Sequence, residues 1–214
     1  MPVVHDLFNK SCSGANLLTN IRGHTLGLVE AVLGPIVEVD AQTEIRWPIV
    51  KLTETGEQSA RETADYVRVV GKTRSGAAFT AELEAGVSPE NVRFIFELRG
   101  SDGWLSLTSN HPYGFQAGDL KLISSITFAE PIPAAVPDSF MAASINVGQV
   151  YAQLVRDLHA GTYKTLGFQH ALHNARLIEA VKRSAELGQR QKLPGPVRRQ
   201  QERKREKVTY ASQV

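Results

Sequence analysis

Apolar residues return at steps of three and four between Ala15 and Leu33. Leu17, Leu18, Ile21, Leu28, Val29 and Val32 share one face, and Gly34-Pro35 closes the run. This spacing predicts an amphipathic helix with a C-terminal stop. Gly23 and Gly27 lie four apart inside it. Each costs roughly 1 kcal/mol relative to alanine, so the pair points to close packing against another backbone or a ligand.

The period then changes to two. Val37, Val39, Ala41, Thr43 and Ile45 alternate with Glu38, Asp40, Gln42, Glu44 and Arg46, the pattern of a strand with one wet face. Similar runs follow at Asp65 to Lys72, Ala77 to Ala85, Val92 to Arg99, Trp104 to Thr108 and Leu120 to Phe128. Arg74-Ser75-Gly76 and Gly100-Ser101-Asp102-Gly103 separate consecutive runs as hairpin turns. Strands in series without intervening helices predict an antiparallel sheet and argue against a doubly wound parallel one.

Helical spacing resumes after the proline-rich stretch Pro131 to Pro137. Val147, Val150, Tyr151, Leu154, Val155 and Leu158 form one stripe, closed by Gly161. Phe168, Ala171, Leu172, Ala175, Leu177, Ile178, Val181, Ala185 and Leu187 form another, closed by Gly188. These two helices are expected to cover one face of the sheet. The predicted fold class is therefore α+β: a predominantly antiparallel open sheet with helices packed on one face. Phe94, Phe96 and Leu98 alternate with Ile95 and leave apolar groups on both sides of their strand. A second copy covering the outer face would give a homo-oligomer through the sheet; a merely half-buried face is the alternative.

At 214 residues and 42% apolar content the chain supports one good core. Its single cysteine, Cys12, permits no internal disulfide and fits a reducing compartment. No continuous apolar run suits a signal peptide or a membrane span, so a soluble cytoplasmic protein is expected. The residues from Gly188 to Val214 hold eight basic and two acidic side chains, leaving 16 basic against 20 acidic before them. The basic stretch is expected to be a disordered tail. The acidic body argues against nucleic acid as a partner, and any such contact would fall to the tail.

Candidate chemistry is sparse. His24 sits one helical turn after Asn20. His170 and His173, three apart on the last helix, have no third ligand nearby and are expected on a solvated face, so no metal site is assigned. His111-Pro112-Tyr113-Gly114 reads as a loop, where a substrate contact and a plain turn share the same composition.

Several segments, taken in order, carry a resemblance. They are Gly14 through Ala41, Ala64-Asp65-Tyr66-Val67-Arg68-Val69-Val70-Gly71-Lys72, Phe96 through Leu105, Tyr151 to Val155, and Leu177 to Gly188. Together they resemble the C-terminal domain of the Gfo/Idh/MocA oxidoreductases, with some similarity to the galactose-regulon repressor branch. The resemblance implies a domain over residues 14–187, a remnant at 1–13 and the basic tail at 188–214. It also implies the substrate-side and oligomerisation half of an NAD(P)-dependent dehydrogenase acting on a sugar or polyol. In that family a Rossmann domain supplies the cofactor site and a lysine in Glu-Lys-Pro, and the C-terminal domain supplies a histidine, matched here by His24. The family's aspartate one turn earlier falls on Asn20, a neutral amide that hydrogen-bonds an imidazole but cannot raise its pKa as a carboxylate does.

The sequence contains neither Gly-x-Gly-x-x-Gly nor Glu-Lys-Pro. NAD or NADP is therefore implied by the family but not expected to bind this chain tightly alone. The expected reading is a truncated half, inactive alone or completed by a separate Rossmann-domain partner. The alternative is a non-catalytic sensor or binding protein of the same fold.

Overall fold

The computed structural model describes residues 3–19, 21–111, 114–116, 120–127 and 142–194. In chain order the regular elements are α1 (Ile21–Leu33), β1 (Ile36–Glu44), β2 (Ile49–Lys51), β3 (Gln58–Ala60), β4 (Tyr66–Thr73) and β5 (Ala78–Glu84). They continue with β6 (Phe94–Gly100), β7 (Gly103–Ser109), β8 (Lys121–Ser124), α2 (Ala142–Ala160), α3 (Phe168–Leu187) and β9 (Gln191–Lys192). All strand pairs among the described residues are antiparallel, and the class is α+β as the periodicity predicts. The chain forms two compact units, Met1–Gly86 with Leu166–Val214, and Val87–Thr165.

The first unit is built on a four-stranded sheet in the order β5-β4-β1-β9, with β2 and β3 as a separate ribbon. Ile36, Val39, Val67 and Val69 are fully buried on one side of it, and Leu177 and Val181 of α3 are fully buried as well. A register shift between Ile36 and Glu38 makes Ile36, rather than Val37, the first inward residue of β1. The short β2 and β3, three residues each, are absent from the alternation because that length is too brief to show a period. Gly71 of β4 faces Phe79 so closely that an added Cβ would lie 2.7 Å from the ring and collide with the Glu38 carbonyl. No other residue fits that crossing of three strands.

α3 is held to the sheet by a row four and three residues apart, His173, Leu177, Val181 and Ser184, all buried. Ser184 Oγ accepts a 3.0 Å bond from the Ala41 N–H, so the helix satisfies a strand donor beyond the end of the short β9. Phe168, Leu172 and Leu187, assigned to the buried stripe from sequence, are exposed, because the packed row is centred on Leu177 and Val181.

Both ends of this unit extend further than the sequence suggests. The segment Val3–Asn9 is a 3-10 helix tied to the β3 region: the Glu62 N–H donates to the Asn9 carbonyl at 2.8 Å, and Thr63 Oγ1 to the Phe8 carbonyl at 2.7 Å. At the other end Gln191 and Lys192 pair with β1, and Leu193 is buried. The ordered fold thus runs past Gly188, while residues 195–214 lie outside the described residues. The first helix begins at Ile21, later than predicted. Before it, Asn16 and Thr19 exchange hydrogen bonds at 3.0 and 3.1 Å between side chain and backbone, a local turn that competes with helix.

Asp65, 1% exposed, ties four chain segments together. Its carboxylate accepts from the Arg46 and Trp47 N–H groups at 2.7 and 2.8 Å and pairs with Arg61 Nη1 at 2.6 Å. Its backbone N–H reaches the Glu44 carbonyl, and its carbonyl accepts from the Ala85 N–H. The ends of β1 and β5, the start of β4 and the entry to β2 therefore meet at one buried carboxylate.

The second unit holds a three-stranded meander, β6-β7-β8, and α2. Register places Phe94, Phe96, Leu98, Leu105, Leu107 and Leu122 on one face, and Ile95, Glu97, Arg99, Trp104, Ser106, Thr108 and Ile123 on the other. Phe94 stacks on Phe115 with ring centroids 5.2 Å apart. Every buried apolar side chain among the described residues belongs to the first unit; the second unit contributes none.

The end of α2 is fixed by Asp157. Burial opposes ionisation of its carboxyl, but Thr162 Oγ1, the Thr165 N–H and Thr165 Oγ1 donate to it at 2.7, 2.6 and 2.7 Å and hold it well below the usual carboxylate range. A depressed native pKa adds stability above the unfolded value of about 4 that is lost as pH falls through the native one. The loop from Gly161 to Thr165 should therefore loosen below about pH 4. Asp157→Asn should lower stability at neutral pH and flatten that acid limb in urea melts taken between neutral and strongly acidic pH. An unchanged acid slope would show that this carboxylate is not linked to folding.

Candidate functional site

The helix bearing His24 is anchored from its opposite side. Leu26 is fully buried and Val29 is 5% exposed, and both point into the first unit. Glu30 completes the anchor. Its Oε1 accepts a 2.7 Å bond from the Ile36 N–H, the first residue of β1, and lies 2.6 Å from Nε2 of His173 on α3. The two side chains are 8% and 7% exposed, so helix, helix and strand meet at a dry histidine–carboxylate pair.

His173 was expected on a solvated helix face and is instead buried, a correction whose cause is its place four residues before Leu177 in the packed row. The signal was present in the sequence. A histidine at i with apolar residues at i+4 and i+8 sits on the inward side of a helix. His170 is half-buried, and no group of three or more His, Cys, Asp or Glu among the described residues is placed to hold a metal.

Gly23 lies where α1 approaches α3. A Cβ there would lie 3.2 Å from Asn174 Nδ2 and 3.7 Å from Ile178 Cδ1. Close packing therefore accounts for Gly23, whereas Gly27 has open space around it.

His24 itself is exposed, on the side of α1 turned away from Leu26 and Val29. No described residue hydrogen-bonds its ring. Asn20, the position paired with it in the sequence, lies outside the described residues. The site as described is thus one accessible imidazole on a helix immobilised from behind. It can donate or accept a proton or hydrogen bond at its ring nitrogens, but the described residues bring no nucleophile or carboxylate to it.

Other candidates are weaker. The His111 N–H donates to Ser109 Oγ and its carbonyl accepts from Gly114, a plain turn; Pro112 and Tyr113 lie outside the described residues. A shallow concavity of about 580 Å³ at the β6–β7 hairpin is lined by Glu97, Arg99, Asp102 and Trp104 among others. Arg99 there is 80% exposed, so the concavity does not gather desolvated polar groups as a binding pocket does. No helix among the described residues is long and apolar enough to cross a membrane.

A dinucleotide does not fit the residues described. A pyrophosphate is held where a strand turns through glycines into a helix, in a parallel βαβ unit. Here the paired strands are antiparallel, and Gly23 and Gly27 lie inside α1.

Residues 4–109 match the family model described as Gal80p, C-terminal domain. Among solved structures, the chain is similar to a super-repressor mutant of Gal80p from Saccharomyces cerevisiae at 17% identity and a TM-score of 0.70, covering 89% of this chain and 53% of that one. It is also similar to levoglucosan dehydrogenase in its apo form, at 18% identity, TM-score 0.64, and coverage of 88% and 54%. A third is an aldose–aldose oxidoreductase from Caulobacter crescentus, at 20% identity, TM-score 0.63, and coverage of 90% and 52%. No curated protein matches the chain. It therefore spans about half the length of the solved structures it resembles. Residues 4–109 thus match the Gal80p C-terminal-domain model, and the chain shares its fold with solved structures of Gal80p, levoglucosan dehydrogenase and an aldose–aldose oxidoreductase.

Proposed function

We propose that the chain is the substrate-side and oligomerisation half of an NAD(P)-dependent sugar oxidoreductase, inactive by itself, with the cofactor held by a Rossmann domain outside these residues. The observation that carries this reading is His24, an accessible imidazole on a helix locked in place by the buried Glu30–His173 pair. Rigid presentation of an acid–base group is what proton transfer to or from a sugar hydroxyl requires. It is consistent with this that a levoglucosan dehydrogenase of the same fold has been captured with NADH and levoglucosan. In such an assembly the nicotinamide would supply hydride chemistry, and His24 would exchange the hydroxyl proton. Homo-oligomerisation would use the outer face of the β6-β7-β8 sheet, where Ile95, Trp104 and Ile123 are 60%, 46% and 61% exposed.

A second reading has its own support. The matching family model is that of Gal80p, and a repressor structure has a TM-score of 0.70 to this chain. In that reading the domain binds a sugar or a protein without turning it over.

Titration of the purified chain with NADH and NADPH, followed by nicotinamide fluorescence, should show no tight binding. Tight binding would refute placement of the cofactor site outside the chain. NMR titration with aldoses, ketoses and an anhydrosugar, following the histidine ring resonances, separates the two readings. Movement of the His24 resonance, lost with weakened binding in His24→Ala, supports the substrate-side role. Sugar binding that leaves His24 unmoved and survives His24→Ala favours the sensor.

A further inference from the structure

α2 is turned with its apolar face outward. Ile145, Gln149, Ala152 and Gln153 are half-buried and Asp157 is buried, and these recur on one side of the helix. The stripe Val147, Val150, Tyr151, Leu154, Val155 and Leu158 lies on the other side, each residue between 42% and 75% exposed. An amphipathic helix ordinarily buries such a stripe against its own core. Here the protected side is the more polar one, so the expectation that this stripe covers a sheet does not hold.

We infer that this stripe is a contact between two copies of the chain, made by antiparallel pairing of α2 across a two-fold axis. The six positions are palindromic. About the midpoint between Ala152 and Gln153, Tyr151 mirrors Leu154, Val150 mirrors Val155, and Val147 mirrors Leu158. A reversed copy therefore presents the same spacing, the condition for an isologous contact.

The area is sufficient as well. Six side chains so exposed offer on the order of 500 Å² per copy, so pairing buries about 1,000 Å², the lower bound for a specific interface. A lipid surface fits less well, because an interfacial helix carries several Lys or Arg on its polar face, and α2 has Arg156 alone. Among the described residues the remainder of its unit adds no buried apolar side chain, so cover from a partner would add apolar burial that those residues lack.

This contact differs from the sheet pairing proposed above, and two isologous faces whose two-fold axes cross at right angles close into a tetramer. Sedimentation equilibrium on the full chain tests both. The wild type should be a tetramer, and Leu154→Glu/Leu158→Glu should halve its mass with an unchanged circular dichroism spectrum; Ile95→Glu/Ile123→Glu is the control for the sheet. A wild-type dimer that becomes monomeric only with the α2 variant upholds the helix contact and removes the sheet contact. A mass unaltered by the α2 variant, or a monomeric wild type, overturns the inference. Should that variant misfold, Tyr151→Cys/Leu154→Cys in a Cys12→Ser background is the second measurement. Mild oxidation should give a covalent dimer from the double variant and much less from either single one, and no crosslink overturns the inference.

Discussion

Asp65→Ala is expected to lose about 3–5 kcal/mol of stability, enough to leave a domain of ordinary stability largely unfolded at physiological temperature. Two costs combine. Arg61, with a side chain 6% exposed, would keep its charge in a dry site without its carboxylate, and its Nε already has no hydrogen-bond partner among the described residues. The Arg46 and Trp47 N–H groups would lose their acceptor at the same moment. Asp65→Asn keeps an acceptor but removes the ion pair, so it should fall between wild type and alanine. Pairing Asp65→Ala with Arg61→Leu should recover part of the loss by removing the stranded charge. Urea melts of the four proteins provide the check. A loss below about 1 kcal/mol for Asp65→Ala would mean that the pair is solvated and the junction held by packing alone.

Glu30→Ala should cost about 2–4 kcal/mol, because it strands the His173 imidazole and the Ile36 N–H in a site that water does not reach. The effect should be local before it is global. Amide exchange ought to accelerate first along the second half of α1 and at Ile36, since the carboxylate is what joins that helix to α3 and to the start of β1. Glu30→Gln retains an acceptor for Ile36 and should lose less. His173→Ala should be milder than Glu30→Ala, for it leaves the carboxylate its bond from Ile36. If Glu30→Ala exchanged uniformly faster across the first unit, α1 would be an integral part of the global folding unit. Because His24 rides on this helix, the same substitution should weaken any sugar response of its ring without touching it.

The strands were legible because a half-buried strand writes its environment at every second residue. Val67, Val69, Ala81 and Leu83 fall where alternation puts them, and all are buried. The helix faces were less legible. For α3 the sequence offered nine apolar positions, more than one face can bury, and the packed row recruited His173 and Ser184 in place of Phe168 and Leu172. A polar residue enters such a row only when a partner waits for it. Here the partners, Glu30 and the Ala41 N–H, are both 143 residues away. For the candidate site, the sequence put forward His24 on its helix, but not that the imidazole faces outward while a different histidine meets a carboxylate within.

By itself the sequence determined the antiparallel α+β class, the order of the longer helices and strands and the palindromic stripe on α2, because these follow from local period and from turn residues at fixed offsets. Only the tertiary structure decided which histidine is buried, where Asp65 gathers four segments, and that the α2 stripe is turned outward. These depend on hydrogen bonds and packing between residues far apart in the chain. A local pattern states that a face is apolar; what meets that face is a property of the whole fold.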